Sequence, residues 1–221
     1  MIKAAPIKKY KLVIFDWDGT VMDSVGKIVN CIRQSALSLN LTPPSDDAIK
    51  NIIGLSLERA IDVLFPEQVK YQKALIAGYK HQYRVDMTPT PVFDDVASVL
   101  SALQAQGIML AVATGKGRDG LERLLDQSQL RQFFSATRTS DDALSKPSPD
   151  MLYQLLQEIG VSADDAVMIG DTKIDMAMGK AANMDRIGVT MGVHNAQQLS
   201  ELTPVATVDN YQQLQQVLLG Y

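Results

Sequence analysis

Cysteine and histidine are almost absent from this 221-residue chain, which has one cysteine, Cys31, and two histidines. A single cysteine cannot form an internal disulfide, and nothing near it is typical of a Cys/His metal cluster. His81 and His194 have no partners at metal-ligand spacing, so we expect surface or structural positions for both. The cysteine usage favours a reducing cytoplasmic environment.

A basic surplus and long hydrophobic runs are missing as well. The formal net charge is −4, with no block of lysine and arginine of the kind that contacts nucleic acid. No stretch approaches the roughly 18 apolar residues that a membrane helix needs, and none follows the charged N-terminus as in a secretory leader. These absences predict a soluble intracellular protein that binds neither nucleic acid nor membranes. The oligomeric state stays open, with a monomer slightly favoured.

Short β-rich runs alternate with helical patterns over most of the chain, which is typical of a parallel sheet built from βαβ units. With 46% hydrophobic residues, the chain can bury a substantial core. The pattern predicts an α/β protein with a Rossmann-like, doubly wound parallel sheet. The candidate strands lie at residues 11–16, 108–114, 134–139, 166–171, 186–190 and 205–209.

The first connection interrupts this alternation. From Ser24 to about Met87 there is no convincing strand, and apolar residues recur at the spacing of amphipathic helices. Two prolines, at positions 89 and 91, then mark the return to the sheet. We therefore predict an inserted helical domain. The expected bounds are 23–87 for this cap and 1–22 with 88–221 for the core.

Two carboxylates directly follow the first predicted strand, in the stretch VIFDWDGTVMDS. Side chains two residues apart in a strand share a face, so we expect Asp16 and Asp18 to form one acidic site while Trp17 points away. Open α/β folds bind ligands at the carboxyl ends of their strands, and Gly19 permits a tight turn there. A divalent cation would compensate two such close charges. Taken in isolation, a pair of this kind is more often simply solvated in a loop.

Three further strand ends supply polar groups. In VMIGDTKIDM, Asp171 follows an apolar run and Asp175 stands four residues later, so both could reach the cavity of the first pair. Thr114, beside Gly115 in VATGKG, offers a hydroxyl for a phosphoryl oxygen, with backbone N–H groups next to it. Lys146 in SKPSPD supplies an ammonium group whose position is set by the following prolines. Four strand ends with these groups in this order indicate one site rather than coincidence.

The stretches DWDGT, TGK, KPSPD and GDTKIDM resemble the four ordered motifs of the haloacid dehalogenase superfamily, and the helical insertion resembles its α-helical cap. The resemblance covers nearly the whole chain and is greatest to the phosphoglycolate phosphatase-like group. It implies a Mg²⁺-dependent phosphatase that hydrolyses small-molecule phosphate monoesters through an aspartyl-phosphate intermediate. At Gly115 many relatives carry asparagine, which leaves one side-chain contact to the phosphoryl group open.

The resemblance also implies a role for each catalytic residue. Asp16 is the nucleophile, and Asp18 protonates the leaving oxygen and then takes a proton from water. Thr114 and Lys146 hold the phosphoryl oxygens as charge develops on them. The implied phosphate-binding set is Gly19, Thr114, Gly115 and Lys146.

For the metal, the resemblance implies Mg²⁺ held by Asp16, the backbone carbonyl of Asp18, and Asp171. Asp175 either contacts the ion through water or orients the lysine, although a plain helix-start residue is the alternative. Thr20 supports the loop that follows the first strand.

Other functions fit parts of the pattern. A phosphoaccepting receiver domain also combines Asp, Thr and Lys on a parallel sheet, but receivers are shorter and lack the helical insertion. Within the superfamily, a sugar phosphomutase or a pyrophosphatase would keep the same core. Leu57 stands three residues beyond Gly54, where phosphomutases and phosphonate hydrolases of this type carry Arg or Lys. This difference favours a phosphatase with water as acceptor.

Overall fold

Six parallel strands form a single sheet in the order β3-β2-β1-β4-β5-β6, in a computed structural model that describes residues 10–220. The strands are β1 Leu12–Phe15, β2 Met109–Ala113, β3 Ala136–Arg138, β4 Ala166–Gly170, β5 Asp185–Val189 and β6 Ala206–Val208. All six predicted strands and the parallel sheet are confirmed. Residues 1–9 and 221 of the expected core domain lie outside the described residues.

The two central strands, β1 and β4, are apolar along their whole length, and each of their residues is buried. A strand covered on both faces must be continuously apolar instead of alternating with polar residues. Val13 and Phe15 join one apolar cluster, while Leu12 and Ile14 join the cluster on the opposite face. The alternation along β1 therefore divides the core into two layers.

Helices cover both faces of the sheet, as the doubly wound prediction requires. Residues of α5, α6 and α10 pack into one apolar cluster, and residues of α7 and α8 pack into the other. A short helix, α9, was not predicted, and it is capped at Asn195 by reciprocal hydrogen bonds with Gln198. The helices are α5 Val96–Ala105, α6 Arg118–Ser128, α7 Asp150–Ile159, α8 Lys173–Ala181, α9 Ala196–Ser200 and α10 Tyr211–Leu219.

Four helices occupy the insertion between β1 and α5: α1 Val25–Ser38, α2 Asp46–Lys50, α3 Leu57–Leu64 and α4 Gln72–Val85. They bury apolar clusters of their own, one of them around Ile32, Ile49 and Leu75. The hydroxyl of Ser45 accepts a hydrogen bond from the Ala48 N–H and so caps α2. The predicted helical insertion is confirmed, and its division from the core at residues 23 and 87 stays a prediction.

The two chain connections of the insertion lie side by side. The Asp23 N–H donates to the Pro91 carbonyl at 2.9 Å, and the Phe93 N–H donates to the Val21 carbonyl at 3.1 Å. Paired connections of this kind hold the start and end of the cap at one edge of the site. Among residues 10–220, no helix combines the length and apolar character needed to cross a membrane.

Candidate active site

The carboxylates after β1 and β4 meet because these strands are neighbours in register. The Asp16 N–H donates to the Ile169 carbonyl at 2.9 Å, which extends the pairing to the end of both strands. Carboxylate oxygens of Asp16, Asp171 and Asp175 all lie within 4.8 Å of one another, and all three side chains are buried. The structure thus brings together three of the four predicted acidic residues in one cluster.

Lys146 lies inside this cluster. Its Nζ donates to Asp16 Oδ1 at 2.6 Å and to Asp175 Oδ1 at 2.7 Å, and the three side chains are at most 1% exposed. A buried ammonium is tolerated only where carboxylates or other acceptors surround it. Asp175 Oδ2 also accepts hydrogen bonds from the N–H and hydroxyl of Thr172, which completes the cap of α8. Asp175 is therefore both a helix-start residue and a partner of Lys146.

Burial changes the pKa values of the groups in this cluster. It raises the pKa of Asp16 to about 7, although the Lys146 charge opposes this rise. It also raises the pKa of Asp171 well above its usual value, and the neighbouring Asp175 and Asp16 add to that effect. Burial alone would lower the Lys146 pKa, but the two carboxylates outweigh it and raise the pKa. Among the described side chains, the one ammonium group of Lys146 therefore does not balance the three carboxylates of the cluster.

One oxygen of the cluster is unsatisfied. Asp16 Oδ2 is buried and has no hydrogen-bond partner among residues 10–220. A buried polar atom without a partner costs free energy unless a ligand completes it. The free oxygen is therefore suited to a ligand in the cavity, and the group of three carboxylates fits a hard divalent cation, which binds carboxylate oxygens.

The residues around Asp171 hold its carboxylate in place. Oδ1 accepts from the Thr20 hydroxyl at 3.0 Å, and Oδ2 accepts from the Val193 N–H at 2.8 Å. A Cβ atom on Gly19 would lie 2.3 Å from Oδ2, and one on Gly192 would lie 2.0 Å from it. Gly19 also has a φ of +80°, as its predicted tight turn requires. The sequence alone did not indicate Gly192, whose importance arises only from this packing.

Asp18 lies outside the group of three carboxylates formed by Asp16, Asp171 and Asp175, and it has hydrogen-bond and ion-pair partners of its own. Its Oδ1 accepts a hydrogen bond from the Ser24 hydroxyl at 2.6 Å, and its Oδ2 lies 3.1 Å from Lys116 Nζ. Asp16 and Asp18 nevertheless line the same cavity. The intervening Trp17 is fully buried in the apolar core, as the alternation of the strand predicts.

Lys116 is a site residue that sequence reasoning missed. Its side chain is only 10% exposed, and its ammonium lies 4.7 Å above the ring of Tyr83 in α4 of the cap. The TGK stretch contains the residue, but a single lysine gives no sign of its partners. The pairing with Asp18 and Tyr83 depends on where the cap folds back onto the core.

Gly115 makes room for the cap. A Cβ atom at this position would lie 2.4 Å from the carbonyl oxygens of both Gly54 and Leu55, which precede α3. Gly54 itself has a φ of +106° and packs against Thr172. Cap backbone fills the space that any larger side chain at position 115 would need. The neighbouring Thr114 is buried and lines the cavity, and its contact with a phosphoryl oxygen stays a prediction.

Two further contacts join the cap to the core. The Ser56 N–H donates to the Ser145 hydroxyl at 2.9 Å, directly before Lys146 in the chain. In the second contact, His194 Nε2 lies 3.3 Å from Oδ1 of Asn51 in the cap. The Nδ1 atom of the same ring accepts a hydrogen bond from the Lys173 N–H. His194 is buried and has a structural role, consistent with its sequence interpretation.

A cavity of about 270 Å³ lies between the cap and the core. Core residues on its surface include Asp16, Asp18 and Thr114, and cap residues include Ile52 and Tyr83. The cavity therefore connects the polar cluster to a largely apolar cap surface.

The fold and the site define an α/β enzyme that carries a buried carboxylate–lysine cluster at the carboxyl edge of its sheet, beneath a helical cap. The chain belongs to the haloacid dehalogenase-like hydrolase family, whose model matches residues 13–189. The resemblance, the fold class and the enzymatic character predicted from the sequence are confirmed.

Similar proteins support this assignment. A Dickeya dadantii protein named "Probable phosphatase IndB" is 34% identical over 209 residues, which cover 92% of this chain and 91% of that protein. A phosphoglycolate phosphatase of Pseudomonas fluorescens is 26% identical over 213 residues, covering 92% and 78% of the two chains. A Bacteroides fragilis crystal structure, described as a haloacid dehalogenase-like hydrolase, superposes with a TM-score of 0.86 at 26% identity, covering 93% and 100%.

Proposed function

We propose that the protein is a Mg²⁺-dependent phosphatase that hydrolyses small-molecule phosphate monoesters through an aspartyl-phosphate intermediate, in the manner of phosphoglycolate phosphatases. One observation carries this proposal. Asp16 lines the cavity, is held by Lys146 through Oδ1, and has an unpartnered second oxygen, Oδ2. A positioned carboxylate with one free oxygen suits nucleophilic attack on phosphorus.

In the first step, Asp16 Oδ2 attacks phosphorus, a P–O bond to the aspartate forms, and the bond to the ester oxygen breaks. Asp18 gives its proton to the departing oxygen, so the leaving group is released as an alcohol. The hydroxyl of Thr114 and the ammonium of Lys146 stabilise the charge that develops on the phosphoryl oxygens. Lys146 also keeps the carboxylate of Asp16 in place.

In the second step, water attacks the phosphorus of the aspartyl phosphate, and Asp18 takes the proton of that water. The bond to Asp16 breaks, inorganic phosphate leaves, and Asp18 is ready to act as an acid again. The contacts of Asp18 with Ser24 and Lys116 keep it beside the cavity and apart from the acidic cluster. This separation lets one carboxylate attack while the other transfers protons.

Asp16, the backbone carbonyl of Asp18, and Asp171 would hold Mg²⁺, with Asp175 positioning Lys146. When bound, the ion supplies positive charge that offsets the buried carboxylates and the phosphate. The carboxylate oxygens of Asp16, Asp171 and Asp175, which lie within 4.8 Å of one another, and the raised pKa values of Asp16 and Asp171 support this assignment. The single buried cysteine, Cys31, supports the further proposal of a cytoplasmic location.

Phosphoenzyme trapping tests the mechanism directly. Acid quenching of the protein during turnover of a ³²P-labelled monoester should leave label on the wild-type chain and none on Asp16→Asn. The matched control is Asp164→Asn, which changes an exposed aspartate and should retain the label. Hydrolysis without any labelled protein, or labelling of Asp16→Asn, would contradict the aspartyl-phosphate intermediate.

A phosphomutase is the main alternative within the family. Leu57 begins α3 and lines the cavity, so no cation from this position contacts a second phosphate. Incubation with a hexose 1-phosphate and its bisphosphate, followed by phosphorus NMR, separates the two functions. We expect inorganic phosphate, whereas accumulation of the 6-phosphate isomer would establish the mutase.

A further inference from the structure

The hydroxyl of Tyr83 is buried and donates no hydrogen bond to any described residue. The residue lies in α4, is 8% exposed and lines the cavity. Two cations lie over the ring, Lys116 Nζ at 4.7 Å and Lys27 Nζ at 4.8 Å from its centroid; both can only donate hydrogen bonds, so neither accepts one from the hydroxyl. A buried hydroxyl that donates no hydrogen bond raises the free energy of the folded state, so this hydroxyl is suited to a ligand that carries a hydrogen-bond acceptor.

Most of the cap surface around this hydroxyl is apolar. The cavity lining includes Ile28, Ile32, Ile52 and Ala60, and the ring of Tyr79 lies 5.8 Å from that of Tyr83. Apolar and aromatic walls with a few polar groups are typical of sites that bind a carbon frame and orient it by hydrogen bonds. The part of a substrate beyond the phosphate would therefore be enclosed largely by hydrocarbon and aromatic rings.

Among the described lining residues, no cation is both buried and free to pair with a second negative charge near the ester. Lys116 is already paired with Asp18, and Lys146 is paired with Asp16 and Asp175. Lys146 is not itself a lining residue, and the lining cations other than Lys116, which are Lys80, Arg84 and Arg123, are exposed. An anion held against the apolar wall without its own cation would be strongly disfavoured.

We propose that Tyr83 is the specificity-determining residue of the phosphatase, and that it selects an uncharged leaving group that carries a ring with a hydrogen-bond acceptor. The ring would lie against the isoleucine side chains, and its acceptor atom would accept a hydrogen bond from the Tyr83 hydroxyl. Glycolate, which places a carboxylate close to the ester, fits this surface poorly. The inference rests on the proposed phosphatase function and deepens it.

Benzyl phosphate and the three pyridylmethyl phosphates test the proposal, since they have the same size and differ only in a ring nitrogen. At pH 8, we expect at least one pyridylmethyl phosphate to have a kcat/KM about tenfold above that of benzyl phosphate. Phosphoglycolate should fall about tenfold below benzyl phosphate. In Tyr83→Phe, the pyridylmethyl-to-benzyl ratio should drop to within about twofold of one.

Tyr153→Phe is the matched control, because Tyr153 lies on α7, away from the cavity lining, and is 49% exposed. It should keep the wild-type ratio. An unchanged ratio in Tyr83→Phe, or a preference for phosphoglycolate, would overturn the role of Tyr83. Hydrolysis of benzyl phosphate in the same assay would leave the phosphatase function intact. If no phosphate ester is hydrolysed, both proposals fail.

Discussion

The ammonium of Lys146 lies 2.6 Å from Oδ1 of Asp16, and neither side chain is more than 1% exposed. The two residues stand far apart in the sequence, yet each is the main electrostatic partner that the other meets in the core. This contact, with the second carboxylate of Asp175, makes Lys146 part of the site and not a solvated surface lysine.

Lys146→Ala should lower kcat for an aryl phosphate by a factor on the order of 100 or more, because one charged donor to the transition state is lost. Steady-state kinetics with p-nitrophenyl phosphate measure the effect, and circular dichroism checks the fold. Lys180→Ala, which removes an exposed lysine of α8, is the control and should stay near wild type. A change within about threefold in Lys146→Ala would remove the lysine from the mechanism.

Asp18→Asn should affect substrates according to their leaving groups. An alkyl alcohol leaves only with a proton, whereas nitrophenolate leaves readily without one, so the loss should be larger for the alkyl ester. Parallel measurement of kcat for ethyl phosphate and p-nitrophenyl phosphate gives the comparison. Equal losses on the two substrates would contradict the acid role of Asp18.

Removal of Mg²⁺ should abolish activity and lower stability. An ion that binds only the folded state adds about 2.7 kcal/mol at a free concentration of 100 times its Kd. Thermal unfolding should therefore show a higher Tm with Mg²⁺ for the wild type and for Asp164→Asn, and no such shift for Asp171→Asn. Activity that survives complete chelation would show that hydrolysis does not depend on a metal ion bound to the acidic cluster.

Gly115→Ala should impair closure of the cap. The added methyl group would meet two carbonyl oxygens at 2.4 Å, and backbone atoms cannot move aside as a flexible side chain can. Since closed caps exclude water and complete active sites, we expect kcat/KM to fall by about tenfold or more with little change in secondary structure. Gly26→Ala is the control, because a Cβ there has nothing within 4 Å. Equal activity of the two variants would show that Gly115 is not needed for closure.

The sequence by itself determined the sheet and its acidic edge. Asp16 and Asp171 follow runs that are apolar at every position, and such runs become central strands because both faces must be covered. Their carboxyl ends therefore had to lie together once β1 and β4 paired. The amphipathic spacing of residues 24–87 likewise required helices, since only that arrangement gathers the apolar side chains on one face.

Only the tertiary structure decided which groups meet across the cavity. Asp18 lines the same cavity as Asp16, but its partners Ser24 and Lys116 could not be read from the sequence, because they belong to separate segments that meet only in the folded chain. The space at Gly115 is limited by the backbone of Gly54, a contact set by cap closure and not by local pattern. The spacing of apolar residues shows which face of a helix or strand is buried. Contacts between elements that are distant in the sequence depend on how their surfaces pack together in the folded chain.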